Sequence, residues 1–246
     1  MSQRFFVNSP ILGRTATLTG VEAHHVTQVM RGKVGDSVVL FDGSDAEFAA
    51  RIARLSRNAV ELEVLSRQEV NRELPRELTL GVALPKGDRQ RWLIEKAVEL
   101  GVFRVVPLQT ARGVAQPLEH VLERLRRAVV EASKQCGRNR LMEIALPRTL
   151  TEFLTEAPDT AWRLLADPDP LAVCVGGLSV PDTCRTILAA IGPEGGFTEQ
   201  ELQAAVDCRR VNLGPRVLRI ETAAIAVAAW VSLGTASAPA GPGCGM

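Results

Sequence analysis

One stretch near the C-terminal end limits the folds open to this chain. Thr186-Ile187-Leu188-Ala189-Ala190 is an apolar run of strand length, and Ile191-Gly192-Pro193-Glu194-Gly195-Gly196-Phe197 is a glycine-rich turn. Thr198-Glu199-Gln200-Glu201 then carries the Thr-x-x-Glu spacing that opens a helix. Strand, turn and helix start in succession form the repeating unit of an α/β protein. The turn of such a unit lies at the carboxyl end of a strand, where ligands bind and glycines let backbone come close to them.

The residues of that turn narrow the ligand. A Walker loop needs Gly-Lys-Ser/Thr after its first glycines and a dinucleotide turn needs G-x-G-x-x-G, and neither pattern is present. Glu194 sets a carboxylate inside the loop, where it would repel a phosphate placed on the N–H groups of the helix start. A neutral or cationic ligand suits the loop better, and S-adenosyl-L-methionine, with a sulfonium and no phosphate, fits it more readily than ATP or NAD. The alternative is a tight turn whose glycines only relieve strain. A second loop, Leu213-Gly214-Pro215, breaks a short apolar strand (Val211, Leu213) and is followed by Arg216 and Arg219. The run from Ala223 to Val231 is apolar on every side and far shorter than the roughly 20 residues of a membrane span, which makes it a core or interface helix.

Residues 1 to about 70 read as a small β-barrel. Ser37 to Phe41, a turn at Asp42-Gly43-Ser44-Asp45, Glu47 to Ile52 and the strictly alternating Ala59 to Val64 supply its strands. Between the opening strand and that hairpin, Val26, Val29 and Met30 share one helical face, which predicts a short helix over Val21 to Arg31. His24 and His25 read as surface or capping residues. The polar stretch around Pro75 reads as a linker over 71–77.

A second domain, 78–234, follows. Leu78 to Leu84 is a strand, Asp88 is placed to cap a helix from Arg89 to Leu100, and Gly101 closes that helix. Glu95, Lys96 and Glu99 read as a charged lattice on its surface. Further strands are expected at Phe103 to Leu108, Trp162 to Ala166, Thr186 to Ile191 and Val211 to Leu213. A helix from Pro117 to Cys136 would bury Leu118, Val121, Leu122, Leu125, Val129 and Ala132. The βαβ rhythm predicts a mostly parallel sheet. Residues 235–246, rich in Ala, Pro and Gly, are expected to be disordered.

Across 246 residues, 46% hydrophobic content supports one large or two small domains. A net charge of +1 means that any nucleic-acid surface must be a local patch. Cys136, Cys174, Cys184, Cys208 and Cys244 are scattered without disulfide or metal-ligand spacing, so no metal is expected and a reducing compartment is. No signal-peptide pattern opens the chain, and the reading is cytoplasmic, with no membrane partner.

The pair Ile-Gly-Pro-Glu-Gly-Gly-Phe-Thr-Glu-Gln-Glu (191–201) and Leu-Gly-Pro-Arg-Val-Leu-Arg-Ile-Glu-Thr-Ala-Ala (213–224) resembles the signature of the SPOUT methyltransferases, and within them the RsmE family, which methylates N3 of a uridine in small-subunit (16S) ribosomal RNA. The resemblance implies an α/β trefoil-knot domain after a PUA-like β-barrel that docks RNA. It implies a homodimer, with the terminal helix in or near the interface, that takes S-adenosyl-L-methionine and acts on small-subunit rRNA or the 30S particle.

Carried over residue by residue, Leu165, Ile191, Gly192, Pro193, Glu194, Gly195, Gly196, Leu213, Gly214, Leu218 and Thr222 would hold the cofactor. Arg112, Arg138 and Arg219 would serve catalysis by stabilising the uridine anion. Arg4, Arg31, Lys86, Arg138, Arg140 and Arg216 would contact RNA, since a guanidinium stays protonated and offers forked donors. The alternative for Arg4 and Arg31 is solvated surface charge. Three positions depart from the family pattern: Ile220 in place of a threonine, Lys134 in place of an acid before Gln-Cys-Gly-Arg, and Ala111 in place of a glutamate. A SPOUT enzyme of another target, such as a ribose 2′-O-methyltransferase, and an RNA-binding homologue without catalysis are the competing readings.

Overall fold

The computed structural model describes residues 3–113 and 118–235. The chain divides into two compact units, Met1–Glu73 with Val129–Leu141, and Leu74–Ala128 with Met142–Met246. Pro117 and the tail beyond Thr235, Cys244 included, lie outside the described residues.

The first unit is one five-stranded sheet of β1 (Arg4–Phe6), β2 (Thr15–Thr19), β3 (Ser37–Phe41), β4 (Ala46–Leu55) and β5 (Ala59–Glu69), in the order β1-β3-β4-β5-β2. The sheet curls around a single core because β4 and β5 are long, alternate over most of β4 and the first half of β5, and slip register at Ala49/Ala50 and Ile52/Arg54, where bulges sharpen the twist. Ala46, Phe48, Ala50 and Ile52 of β4 face inward with Val60 and Leu62 of β5. The helix expected over Val21 to Arg31 is shorter and of two kinds: α1 (Gly20–His24) runs into a π-helical turn, His25–Val29. Met30 N donates to His25 O at 3.0 Å, and this wider turn buries Val26 but leaves Val29 65% exposed, so the predicted apolar face loses one member.

The second unit holds a sheet in which every pairing among the described residues is parallel. Its strands are β6 (Glu77–Val82), β7 (Arg104–Gln109), β8 (Glu143–Ile144), β9 (Arg148–Thr149), β10 (Trp162–Ala166), β11 (Val173–Cys174), β12 (Thr186–Ile191) and β13 (Arg209–Asn212). The order is β11-β13-β10-β12-β6-β7-β8, with β9 on β7. Thus β12 enters between β6 and β10, and β13 between β10 and β11, which brings the loops after β10, β12 and β13 to one carboxyl edge.

The helices are α2 (Arg89–Glu99), α3 (Glu119–Cys136, whose end belongs to the first unit), α4 (Leu150–Thr155), α5 (Glu199–Ala204) and α6 (Ile220–Thr235). Asp88 does not cap α2: its own backbone is already helical, and no side-chain bond forms. Gly101 does close α2, at φ +77°. On α3, Leu122, Leu125, Val129 and Ala132 are buried as the stripe predicts, whereas Val121 is only half-buried and Leu118 precedes the helix and is exposed. α6 packs on α2, β6 and β12, and buries Ile220, Ala223, Ala224, Val227, Ala228 and Val231, the i, i+3, i+4 set of one face.

Candidate functional site

The carboxyl edge of the parallel sheet opens into a cavity of about 330 Å³, within the range of small-molecule pockets, roughly 300–1,000 Å³. Three loops wall it. The loop after β12 contributes Ile191, Gly192, Pro193, Glu194, Gly196 and Phe197; the loop after β13 contributes Leu213, Gly214 and Arg216 to Arg219; the end of β10 contributes Ala166, Asp167 and Pro168. Ile220 and Ala223 of α6 close one side.

Each loop is held by identifiable bonds. Thr198 and Glu201 form the expected capping box: the Thr198 hydroxyl accepts from Glu201 N at 3.3 Å, and Thr198 N donates to Glu201 Oε2 at 2.7 Å. Glu201 also reaches across to accept from Ala111 N at 3.0 Å. Burial alone would push the Glu201 carboxyl up, but hydrogen bonds from Thr198 N, Ala111 N and the Thr198 hydroxyl, with the nearby Arg112 charge, bring it below its ordinary value. Gly192 is required by close approach, because a Cβ there would sit 2.9 Å from the Phe197 ring. In the loop after β13, Gly214 takes φ +118°, and its N–H donates to Asn212 Oδ1 at 2.8 Å. Asn212 Nδ2 in turn bonds the Pro168 and Asp169 carbonyls, while Arg210 pairs with Asp167 and Asp169. The loops after β10 and β13 are therefore sewn to each other.

Of the residues expected at the cofactor, Ile191, Gly192, Pro193, Glu194, Gly196, Leu213, Gly214 and Leu218 line the cavity. Three do not. Leu165 is 1% exposed in the core beneath, because alternation along β10 turns it away and leaves the next residue, Ala166, at the cavity. Gly195 instead offers its carbonyl to Arg112 Nη1 at 2.7 Å. Thr222 is exposed on the other side of α6, since the helix starts at Ile220 and presents Ile220 and Ala223 to the cavity. The sequence reading missed Asp167, Pro168 and Arg210; the proline-rich turn Asp167-Pro168-Asp169-Pro170 after a predicted strand was the available signal.

The arginines separate into two groups. Arg138 is 3% exposed, and its guanidinium forks onto the Glu73 carboxylate. Arg4 lies over the Phe41 ring and bonds Glu47 at 2.9 Å and Asn139 at 2.6 Å. Arg140 pairs with Asp45 at 2.8 Å. The family resemblance assigns these three to RNA or catalysis; in the structure their charges are taken by acids or amides within the first unit. Lys134, one of the departures, bonds Glu22 at 2.9 Å in the same unit. By contrast Arg31, Lys86, Arg216 and Arg219 are exposed and carry no ion pair among the described residues, and Arg216 and Arg219 line the cavity. Among the described residues Arg31 is also the one non-glycine with positive φ, +54°. Arg112 is exposed beside the first loop, outside the cavity wall, and holds that loop through Gly195. Among the described residues no group of three or more His, Cys, Asp or Glu could hold a metal, and no helix is long and apolar enough to cross a membrane.

A parallel sheet with a glycine-walled cavity at its carboxyl edge, preceded in sequence by a curled sheet, defines the class: residues 72–232 match the model of the RNA methyltransferase domain, and 18–65 that of the RNA methyltransferase PUA domain. The ribosomal RNA small subunit methyltransferase E of Synechocystis is 34% identical over 226 residues, 87% of this chain and 71% of that protein. The Bacillus subtilis protein of the same name is 29% identical over 90% of this chain and 91% of its own. Among solved structures, ribosomal RNA small subunit methyltransferase E from Neisseria gonorrhoeae, bound to S-adenosyl methionine, superposes with a TM-score of 0.84 at 31% identity, covering 93% of this chain and 96% of that one. A Legionella pneumophila methyltransferase in complex with SAM gives 0.86 at 30% identity over 95% and 98%. The chain belongs to the ribosomal RNA small subunit methyltransferase E family and has its α/β-knot fold.

Proposed function

We propose that this chain uses S-adenosyl-L-methionine to methylate N3 of a uridine in 16S ribosomal RNA, in the cytoplasm and as a homodimer, with residues 1–70 docking RNA and 78–234 carrying the transfer. The observation that carries the reading is the cavity itself. The glycine-rich loop after β12 and the Leu213-Gly214-Pro215 turn meet there with apolar side chains (Pro193, Leu213, Val217, Leu218) beside the carboxylates of Asp167 and Glu194. That donor set suits a ligand with a flat apolar ring, sugar hydroxyls and a cationic end, and it offers a phosphate nothing like a Walker cradle.

Bound there, the cofactor supplies an electrophilic methyl group. The chain's own residues would do the rest. N3 of uridine becomes nucleophilic on losing its imide proton, so the charge to be stabilised is a delocalised anion. Arg216 and Arg219, exposed at the cavity and without an ion pair among the described residues, are the groups placed to meet it. Arg112 acts by holding the first loop. Arg31 and Lys86 remain as phosphate contacts, whereas Arg4, Arg138 and Arg140 serve the first unit.

The test is nucleoside mass mapping of 16S rRNA from a deletion strain, with titration of S-adenosyl-L-methionine into the purified protein. Loss of one base-methylated uridine, restored by the wild-type gene and not by Arg219→Ala, is expected. Loss of a ribose methyl instead would make it a 2′-O-methyltransferase, and absence of cofactor binding would leave an RNA-binding homologue.

A further inference from the structure

Three elements of the second unit bring charged groups together behind the first loop. Arg89 is the first residue of α2, Glu194 lies in the loop after β12, and Glu221 stands in the first turn of α6. The Arg89 guanidinium reaches both acids through one nitrogen: Nη1 is 3.5 Å from Glu221 Oε1 and 3.8 Å from Glu194 Oε1.

The two carboxylates differ in kind. The Glu221 side chain is 9% exposed, and its Oε2 is buried without a hydrogen-bond partner among the described residues. The Glu194 side chain is 50% exposed at the cavity wall. A buried carboxylate needs a counter-charge, and the helix start at α6 supplies only part of one, so Glu221 fixes where the Arg89 head group can sit. Glu194, on a loop with glycines on both sides, has no such constraint of its own.

We propose that Arg89, anchored by Glu221, is a positioning residue that holds the Glu194 carboxylate at the cavity and thereby sets the affinity for the cationic cofactor. The proposal rests on the cofactor reading above. Its mechanical part can be tested without ligand. Arg89 does not itself line the cavity and acts on it through Glu194, so its contribution must vanish once Glu194 no longer carries a charge. A guanidinium that merely repelled the ligand's positive end would act in the opposite sense, and removing it would tighten binding.

The experiment uses the full chain and a double-mutant cycle. Arg89→Met, Arg89→Lys, Glu221→Gln, Glu194→Gln and the Arg89→Met/Glu194→Gln pair are compared by calorimetric titration with S-adenosyl-L-methionine and by amide hydrogen exchange of residues 192–197 in the ligand-free protein. Arg89→Met is expected to weaken binding about five- to tenfold and to speed exchange in the loop, with Arg89→Lys recovering part of both. In the Glu194→Gln background the same substitution should change neither. Glu221→Gln, which is isosteric and keeps the protein testable should Arg89→Met fold poorly, should reproduce the Arg89→Met effect in weaker form. Tighter binding by Arg89→Met, or equal losses in the two backgrounds with unchanged loop exchange, would overturn the proposal. A wild-type protein that does not bind the cofactor would remove the functional reading instead, while the exchange cycle would still decide whether Arg89 holds the loop.

Discussion

The Thr198 and Glu201 pair does two jobs, opening α5 and tying the loop after β7 to the loop after β12. Replacing Thr198 by Ala should cost about 1 kcal/mol, the typical value of an N-cap. The Glu201 contribution depends on pH, and its sign follows from its depressed folded value. It is present in full above the unfolded value of 4.5 and is lost as the pH falls through the lower folded one. Thermal melts of wild type and Glu201→Gln should therefore differ at pH 7 and converge below pH 4.5; a gap that persisted in acid would assign the effect to shape instead of charge. Arg138 makes the opposite kind of test. With its side chain 4% exposed and its Glu73 partner 12%, breaking the pair leaves a largely buried acid unpaired. Arg138→Ala should lose about 3 kcal/mol of stability in urea titrations. Unchanged stability with lost turnover would restore the catalytic role that the sequence assigned to it.

At the scale of elements, the loop after β12 is the piece on which the cavity depends, and Gly192 is its tightest point. A methyl group 2.9 Å from the Phe197 ring must displace that ring or the loop, and Phe197 packs on the core formed by Phe153, Leu154, Leu165 and Leu188. Gly192→Ala should thus weaken cofactor binding tenfold or more while costing about 1–3 kcal/mol of stability, read by titration and by thermal melts. Such elements were legible where local rules act alone. The Thr198-x-x-Glu201 box, Gly101 at the end of α2 and the strand Thr186 to Ile191 all stand where the sequence puts them. Thr149-Leu150-Thr151-Glu152 carries the same box and opens α4, a helix that the sequence reading passed over. What the sequence could not show were partners far away along the chain. Nothing near Arg138 announces that Glu73, 65 residues earlier, takes its charge. Period two along β10 leaves open which face meets the cavity, and the choice between Leu165 and Ala166 is made by the packing of α4 and α5.

For the whole molecule, the outer side of α6 is a surface that a partner can cover. Its inner stripe is buried, yet Ile225, Ala226, Ala229 and Trp230 are only half-buried, Thr222 is exposed, and Leu233 is 76% exposed. On α2, which packs against it, Trp92 is 45% exposed. A helix with small and apolar residues on its open side allows a second backbone to come close, and exposed apolar side chains such as Leu233 and Trp92 are of the kind protein interfaces cover. The homodimer proposed above would use this side, with two copies meeting through the same residues, as a twofold interface requires. Sedimentation of the wild-type protein at micromolar concentration should then give twice the chain mass of 26.6 kDa. Ala229→Glu combined with Leu233→Glu should bring it down to one chain, because each dimer would set like charges against each other across the axis. The cavity lies beside the start of this helix at Ile220 and Ala223, so the same variant also reports whether the site depends on the partner. Unchanged cofactor affinity in the single chain would mean that each copy holds a complete pocket, and a large loss would mean that the pocket is finished only on pairing. A wild-type protein that sediments as a single chain at every concentration would reject the homodimer outright.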